Sequence, residues 1–209
     1  MTDYAAPATP QPAVTVAILA GGRSSRMGTD KSFVPLLGQT LIEHVIARVT
    51  PLVADPARDI LLITNRPDDY APFGLPMYTD VIPDAGSLGG LYTAVLRSQA
   101  AHTLCVACDM PFLNTALLAY LLAQRAGYDV IVPRLDGYPE PLHAVYGKGC
   151  LEPMRAQIEA GRYKIIGFYG KVRLHFIEEA DVRRLDPDLR SFVNVNTPDE
   201  LASLRGPQA

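Results

Sequence analysis

Two arginines, a lysine and three glycines share the thirteen residues Leu19-Ala20-Gly21-Gly22-Arg23-Ser24-Ser25-Arg26-Met27-Gly28-Thr29-Asp30-Lys31. Glycines let a backbone approach an anion closely and present N–H groups to it. Arg23, Arg26 and Lys31 supply the positive charge that phosphates need. The segment lacks the G-x-x-x-x-G-K-[ST] spacing of a Walker loop and the G-x-G-x-x-G spacing of a dinucleotide-binding turn. It reads as a phosphate cradle of a different kind, in a protein that handles nucleotides.

Three other chemistry-bearing positions follow apolar runs. Asp109 comes directly after Thr103–Cys108, and its carboxylate is a hard oxygen donor suited to Mg²⁺. Asn65 follows Asp59–Thr64, and Asp80 closes Met77–Asp80. An amide and a carboxylate at such places read a base or a ribose, or else serve as turn residues. Asn194 and Asn196 alternate with Val193 and Val195, a strand pattern that points both amides the same way, towards a phosphate or a ring, or towards capping the next helix.

The histidines and cysteines offer less. None of the four histidines belongs to an H-E-x-x-H, and no G-x-S-x-G is present. His143, in Glu140-Pro141-Leu142-His143, is the one placed to face a substrate. Cys105 and Cys108 form a C-x-x-C inside an apolar run, where they read as buried small residues rather than as a redox pair or half a zinc site. Arg162, Tyr163 and Lys164 read as a solvated turn.

These residues need elements to hold them. Val14–Leu19, Asp59–Thr64, Met77–Val81, Thr103–Cys108, Asp129–Pro133, Val172–Ile177 and Phe192–Val195 read as strands, with Leu142–Tyr146 pairing nearby. Gln39–Val53, Ser87–Ser98, a segment capped by Asn114, and Leu151–Ala160 stopped by Gly161 read as helices. A last helix starts at Thr197-Pro198-Asp199-Glu200, a capping box. Continuous apolar strands alternating with amphipathic helices predict an α/β fold. The expected form is a single three-layer α/β/α domain with a mostly parallel, mixed sheet, Rossmann-like, spanning residues 14–205. Residues 1–13, with three prolines, read as a disordered tail. The carboxyl ends of the strands are where such a sheet places its site, and the cradle, Asn65 and Asp109 all fall there.

Composition narrows the class. The 209 residues suffice for one domain with a sizeable core, and 48% apolar with 20% charged residues is ordinary for a globular protein. A net charge of −3 argues against broad nucleic-acid binding and makes any anion site local. No apolar run approaches the ~20 residues that span a bilayer, and no signal peptide is evident. The expected location is the cytoplasm.

The segment L-A-G-G-x-S-x-R-M-G-x-D-K resembles the signature of the MobA-like nucleotidyltransferases. Three later segments resemble that family's motifs, in the same order: Gly86-Ser87-Leu88-Gly89-Gly90-Leu91, Cys108-Asp109-Met110-Pro111-Phe112 and Phe192-Val193-Asn194-Val195-Asn196-Thr197-Pro198. The last is similar to the branch that transfers GMP from GTP to the terminal phosphate of molybdenum-molybdopterin, releasing pyrophosphate. The resemblance implies a nucleotidyltransferase fold and a Mg²⁺ cofactor at Asp109. It implies Arg26, Lys31 and Asp109 as catalytic residues. It also implies Leu19, Ala20, Gly21, Gly22, Lys31, Asn65, Asp80, Asp109, Asn194 and Asn196 as residues that bind the nucleotide or the pterin. Gly21 favours guanine over cytosine by the same resemblance, and Gly89 lies in a segment that surrounds the base. Ser87 and Gly89 depart from the usual Pro and Ala. Molybdopterin-supplying proteins and recipient molybdoenzymes are the implied partners. The alternatives are a related transferase using CTP or a sugar phosphate, and a non-catalytic nucleotide- or cofactor-binding protein.

Overall fold

A computed structural model describes residues 14–20 and 31–195. The proline-rich segment 1–13, Gly21, Gly22, Arg23, Arg26, Asn196 and the expected terminal helix lie outside the described residues.

Among the described residues the main sheet has eight strands, seven of them along one path. These seven are β1 (Thr15–Leu19), β4 (Ile60–Ile63), β5 (Met77–Tyr78), β6 (His102–Ala107), β7 (Val130–Leu135), β9 (His143–Gly147) and β10 (Leu174–Glu178), in the order β10-β7-β9-β6-β1-β4-β5. A short β8 (Tyr138–Pro139) folds back on β7. β1 pairs in parallel with β4 and β6, β4 with β5, and β10 with β7. Only β9 runs against its neighbours β6 and β7 in that order. The sheet is therefore mostly parallel and mixed, as the apolar runs predict. A separate hairpin joins β2 (Pro35–Leu36) to β3 (Gln39–Thr40).

Alternation along each buried strand feeds two cores. Val16, Ile18, Leu104 and Val106 face one side with Ile42, Val45, Leu117 and Leu121. Ala17, Leu19, Cys105 and Val132 face the other with Leu88, Leu91, Met154 and Phe168. The first side is covered by α1 (Leu41–Val49), α5 (Thr115–Ala123) and α7 (Glu179–Arg183); the second by α4 (Gly86–Arg97) and α6 (Leu151–Glu159). Two short helices, α2 (Pro56–Asp59) and α3 (Pro67–Tyr70), flank β4.

The helix limits follow local chemistry. Thr40 and Glu43 close a capping box at the start of α1, so Gln39 and Thr40 belong to β3 and not to the helix. Asn114 Oδ1 accepts from the N–H groups of Ala116 and Leu117. After α6, the Gly161 N–H donates to Ile158 C=O and the Arg162 N–H to Gln157 C=O, with Gly161 at φ 70°. That is the left-handed stop that glycine favours.

One expected strand is absent. Phe192–Val195 does not pair into the sheet: Arg190–Phe192 is a single 3₁₀ turn and the chain then runs on alone. Side chains hold it instead. The Asp186 carboxylate accepts from the N–H groups of Arg190 and Ser191, and the Ser191 hydroxyl accepts from the Asn114 N–H. The Val195 N–H donates to the Asp109 C=O at 3.0 Å. Asn194 therefore lies in no strand, and Asn196 lies outside the described residues.

Candidate functional site

Strand register brings the expected site residues together. Leu19 lies level with Ile63 on one side and Ala107 on the other. The chain leaves all three strands at one edge, so Ala20, Thr64-Asn65 and Cys108-Asp109 emerge side by side. The Cys108 N–H donates to Leu19 C=O and the Ala20 N–H to Ile63 C=O, extending the ladder by one step into the edge. Nothing in the local sequence of any strand shows this; it is a consequence of parallel pairing.

Asn65 and Asp80 form one unit. The Asn65 amide donates to the Asp80 carboxylate at 2.9 Å, and the Asp80 N–H donates to the Asn65 side-chain oxygen at 3.0 Å. The pairing sets the orientation of the amide. One Asp80 oxygen, Oδ1, is left pointing at Gly90, where an added Cβ would lie 3.5 Å from it, 3.4 Å from Leu19 and 3.8 Å from Ile63. Gly90 is thus a small-residue floor between β1, β4 and Asp80. Gly89 has a different job: a Cβ there would come within 2.9 Å of Ala85 and 3.1 Å of the Ile82 carbonyl. Gly89 is required by packing inside α4, and Gly90 is the residue that borders the edge. Sequence reasoning singled out Gly89 and passed over Gly90, because adjacent glycines in a helix face different neighbours only once the helix is docked.

Lys31 enters on a 3₁₀ turn, Lys31–Phe33, whose Ser32 is fully buried. The Tyr70 hydroxyl donates to Ser32 Oγ at 2.7 Å and reaches the Ala20 carbonyl at 3.4 Å, while Ser32 Oγ donates to Cys108 Sγ at 3.2 Å. Tyr70, itself packed on Phe33 and Phe73, therefore ties the two ends that flank the glycine-arginine segment to the strand that carries Asp109. Asp109 is half-buried. Burial pushes its carboxyl above the ordinary range, and the nearby Lys31 ammonium pulls it back. A carboxylate held this way is poised to gain from a cation. Among the described residues no group of three or more His, Cys, Asp or Glu side chains surrounds it. That donor set suits Mg²⁺, which takes one or two carboxylates together with substrate phosphates.

Two expectations change. His143 does not face the edge from a loop. It is the first residue of β9, fully buried, with its ring 4.5 Å from that of Phe192. Neither ring nitrogen has a hydrogen-bond partner among the described residues, and burial holds its pKa down to about 3. It is a neutral interior ring. Asn194 is exposed beside the edge, one residue before the Val195–Asp109 contact, but its side chain has no described tie to the other site residues. Cys105 points into one core and Cys108 packs against the other while accepting from Ser32, so the two cysteines cannot meet. Arg162, Tyr163 and Lys164 are exposed, as a solvated turn requires.

Residues 16–173 match the family model described as a MobA-like NTP transferase domain. The molybdenum cofactor guanylyltransferase of Desulfosudis oleivorans is 37% identical over 90% of this chain and 93% of its own. A probable molybdenum cofactor guanylyltransferase of Pelotomaculum thermopropionicum is also 37% identical, over 91% of each chain. Among solved structures, the molybdopterin-guanine dinucleotide biosynthesis protein A of Archaeoglobus fulgidus is 28% identical. It superposes with a TM-score of 0.78, covering 91% of this chain and 96% of its own.

Proposed function

The chain belongs to the MobA-like NTP transferase family, and we propose that it transfers GMP from GTP to the terminal phosphate of molybdenum-molybdopterin. A terminal phosphate oxygen of the pterin attacks the α-phosphorus of GTP. The bond from that phosphorus to the β-phosphate oxygen breaks, and pyrophosphate leaves with its electron pair. The acceptor is already an anion, so the protein needs no strong general base. Its task is to position two polyanions and to neutralise their charge.

The observation that carries this reading is the shared edge. Leu19, Ile63 and Ala107 are in register, which sets Ala20, the Asn65–Asp80 pair and Asp109 beside one another. We assign the base and ribose to Leu19, Ala20, Asn65 and Asp80, with Gly90 leaving room beside them. Lys31 and Arg26 take the departing pyrophosphate, and Gly21 and Gly22 the phosphates. Of these, Arg26, Gly21 and Gly22 lie outside the described residues, as does Asn196. Asn194 sits where it can meet the acceptor. The cofactor is assigned as Mg²⁺, which Asp109 would hold and which would supply neutralisation of phosphate charge there. Residues 14–205 form the catalytic domain. No described helix is long and apolar enough to cross a membrane, and we assign the reaction to the cytoplasm, where so few cysteines are ordinary. Molybdopterin-supplying proteins and recipient molybdoenzymes are the partners this activity calls for.

The test is pyrophosphate release by the purified protein. Release that requires GTP, Mg²⁺ and molybdenum-molybdopterin together is expected. Nucleotide binding with no pyrophosphate formed under any combination would favour a cofactor-binding protein instead.

A further inference from the structure

Beyond β6 the same edge carries a residue with no assigned part. Glu140 closes the β7–β8 hairpin and precedes β9, and its backbone is held on all sides. Its N–H donates to Pro133 C=O at 2.9 Å, and its own C=O accepts from the His143 N–H at 3.1 Å. The next carbonyl, Pro141, accepts from the Tyr146 hydroxyl, which is itself bonded to the Tyr169 hydroxyl. The carbonyl after that, Leu142, accepts from the Ala107 N–H, two residues before Asp109.

The side chain is the opposite of the backbone. The Glu140 carboxylate is half-buried and has no hydrogen-bond or ion-pair partner among the described residues. Burial alone acts on it, pushing its carboxyl upward. A desolvated carboxylate on a rigid mount is costly unless something arrives to pair with it. That something is not a phosphate, which it would repel.

Position along the edge says which substrate meets it. Reading across, the Asn65–Asp80 pair stands at β4 and β5, Asp109 at β6, and Glu140 in the β8–β9 connection that lies between β6 and β7. One strand spacing separates β6 from β9, about 5 Å. With the nucleotide on the β4–β5 side and the reacting phosphates at Asp109, the acceptor's ring lies towards Glu140. The pyrimidine ring of a pterin presents a 2-amino group beside a ring N–H, two adjacent donors that match the two oxygens of one carboxylate.

We propose that Glu140 is a specificity-determining residue for the acceptor, pairing its carboxylate with the amino and ring N–H donors of the pterin. The inference rests on the proposed guanylyl transfer. Guanine carries the same donor pair, so the test must separate the two rings. Steady-state kinetics with molybdenum-molybdopterin and GTP on the parent, Glu140→Gln and Glu140→Ala do so. The expected result is a rise of roughly 10- to 100-fold in KM for the pterin, the loss of a charged hydrogen-bonded pair. KM for GTP should move by less than about threefold. Glu140→Gln keeps the shape and so guards against a folding defect, which the melting temperature of each variant checks. Unchanged KM for the pterin, or a rise in KM for GTP instead, overturns the assignment of Glu140 and leaves the guanylyl transfer standing. A parent that transfers nothing to molybdopterin overturns both.

Discussion

The two halves of the sheet edge that we propose as the active site are built on different plans. Around β5, β4, β1 and β6 the strands are parallel, and the polar groups at their ends bond to one another: Asn65 to Asp80, Ser32 to Cys108, Tyr70 to Ser32 and Ala20. At β9 the direction reverses, and the titratable groups there and on its neighbours are interior. His143, Tyr146 and Tyr169 are buried and held in their neutral forms, and Glu140 stands half-buried without a partner among the described residues. The polar groups of the parallel half are set by one another, whereas those around β9 are desolvated; under the proposed function the first would receive the nucleotide and the second the acceptor. A transferase that brings two anionic substrates together has reason for both plans, because charge repulsion at the meeting point is best confined to the strand where Asp109 sits.

Breaking the boundary between the halves should have the largest effect. Asp109→Ala and Lys31→Ala are each expected to lower turnover by about 10²-fold or more, the usual scale for removing a transition-state charge partner. An Asp109→Ala enzyme at the parent rate under saturating Mg²⁺ would contradict the assignment.

The interior of the reversed half should show next, in stability rather than rate. His143 has a folded pKa of about 3 against an ordinary 6.5, so only the unfolded chain takes up its proton between those values. Stability linked to His143 is complete above pH 6.5 and is lost as pH falls towards 3. His143→Phe, which keeps an aromatic ring and removes two nitrogens with no partner among the described residues, should flatten that loss by about 3 kcal/mol between pH 7 and pH 4. Urea titrations of parent and variant across that range check the slope; parallel pH curves would mean the ring is not neutral and interior.

The neighbouring glycines sharpen the contrast within the parallel half. Gly89→Ala must displace Ala85 or the Ile82 carbonyl and should cost about 1–3 kcal/mol of stability. Gly90→Ala meets Leu19 and Asp80 at ordinary contact distance, so it should fold normally and weaken GTP by about tenfold, the loss of one or two contacts. Melting temperatures with GTP titrations separate the two; reversed outcomes would move the nucleotide away from Gly90. Smallest is Asn114→Ala, which removes the cap of α5 and the bond to Leu185 C=O. It should cost about 1–2 kcal/mol with little change in KM for GTP.

The parallel half was the legible one. Continuous apolar runs such as Ile60–Ile63 and His102–Ala107 announce buried strands, and Asn114 and Gly161 mark helix limits by chemistry that is local. Asn65, Asp80 and Asp109 could be found because each follows such a run. The reversed half hid its character in pairing. His143 sits in a segment whose prolines and glutamate suggest a loop, and only its register against Val106 buries it. The Val-Asn alternation at 193–196 imitates a strand, yet Asp186 and Ser191 claim the backbone first. Gln39 and Thr40 read as the start of a helix, yet they form β3, because a tight turn at Leu37 and Gly38, both at positive φ, pairs them with Pro35 and Leu36. Gly90 differs from Gly89 only in what the docked helix places beside it.

The most direct measurement is nucleotide selectivity with molybdenum-molybdopterin as acceptor, following the dinucleotide product and pyrophosphate with GTP, CTP and ATP at equal concentration. The account predicts equimolar product and pyrophosphate from GTP, with CTP and ATP far behind. A preference for CTP would contradict the guanylyl assignment while leaving the transferase class intact, and product from none of the three would contradict the transfer itself.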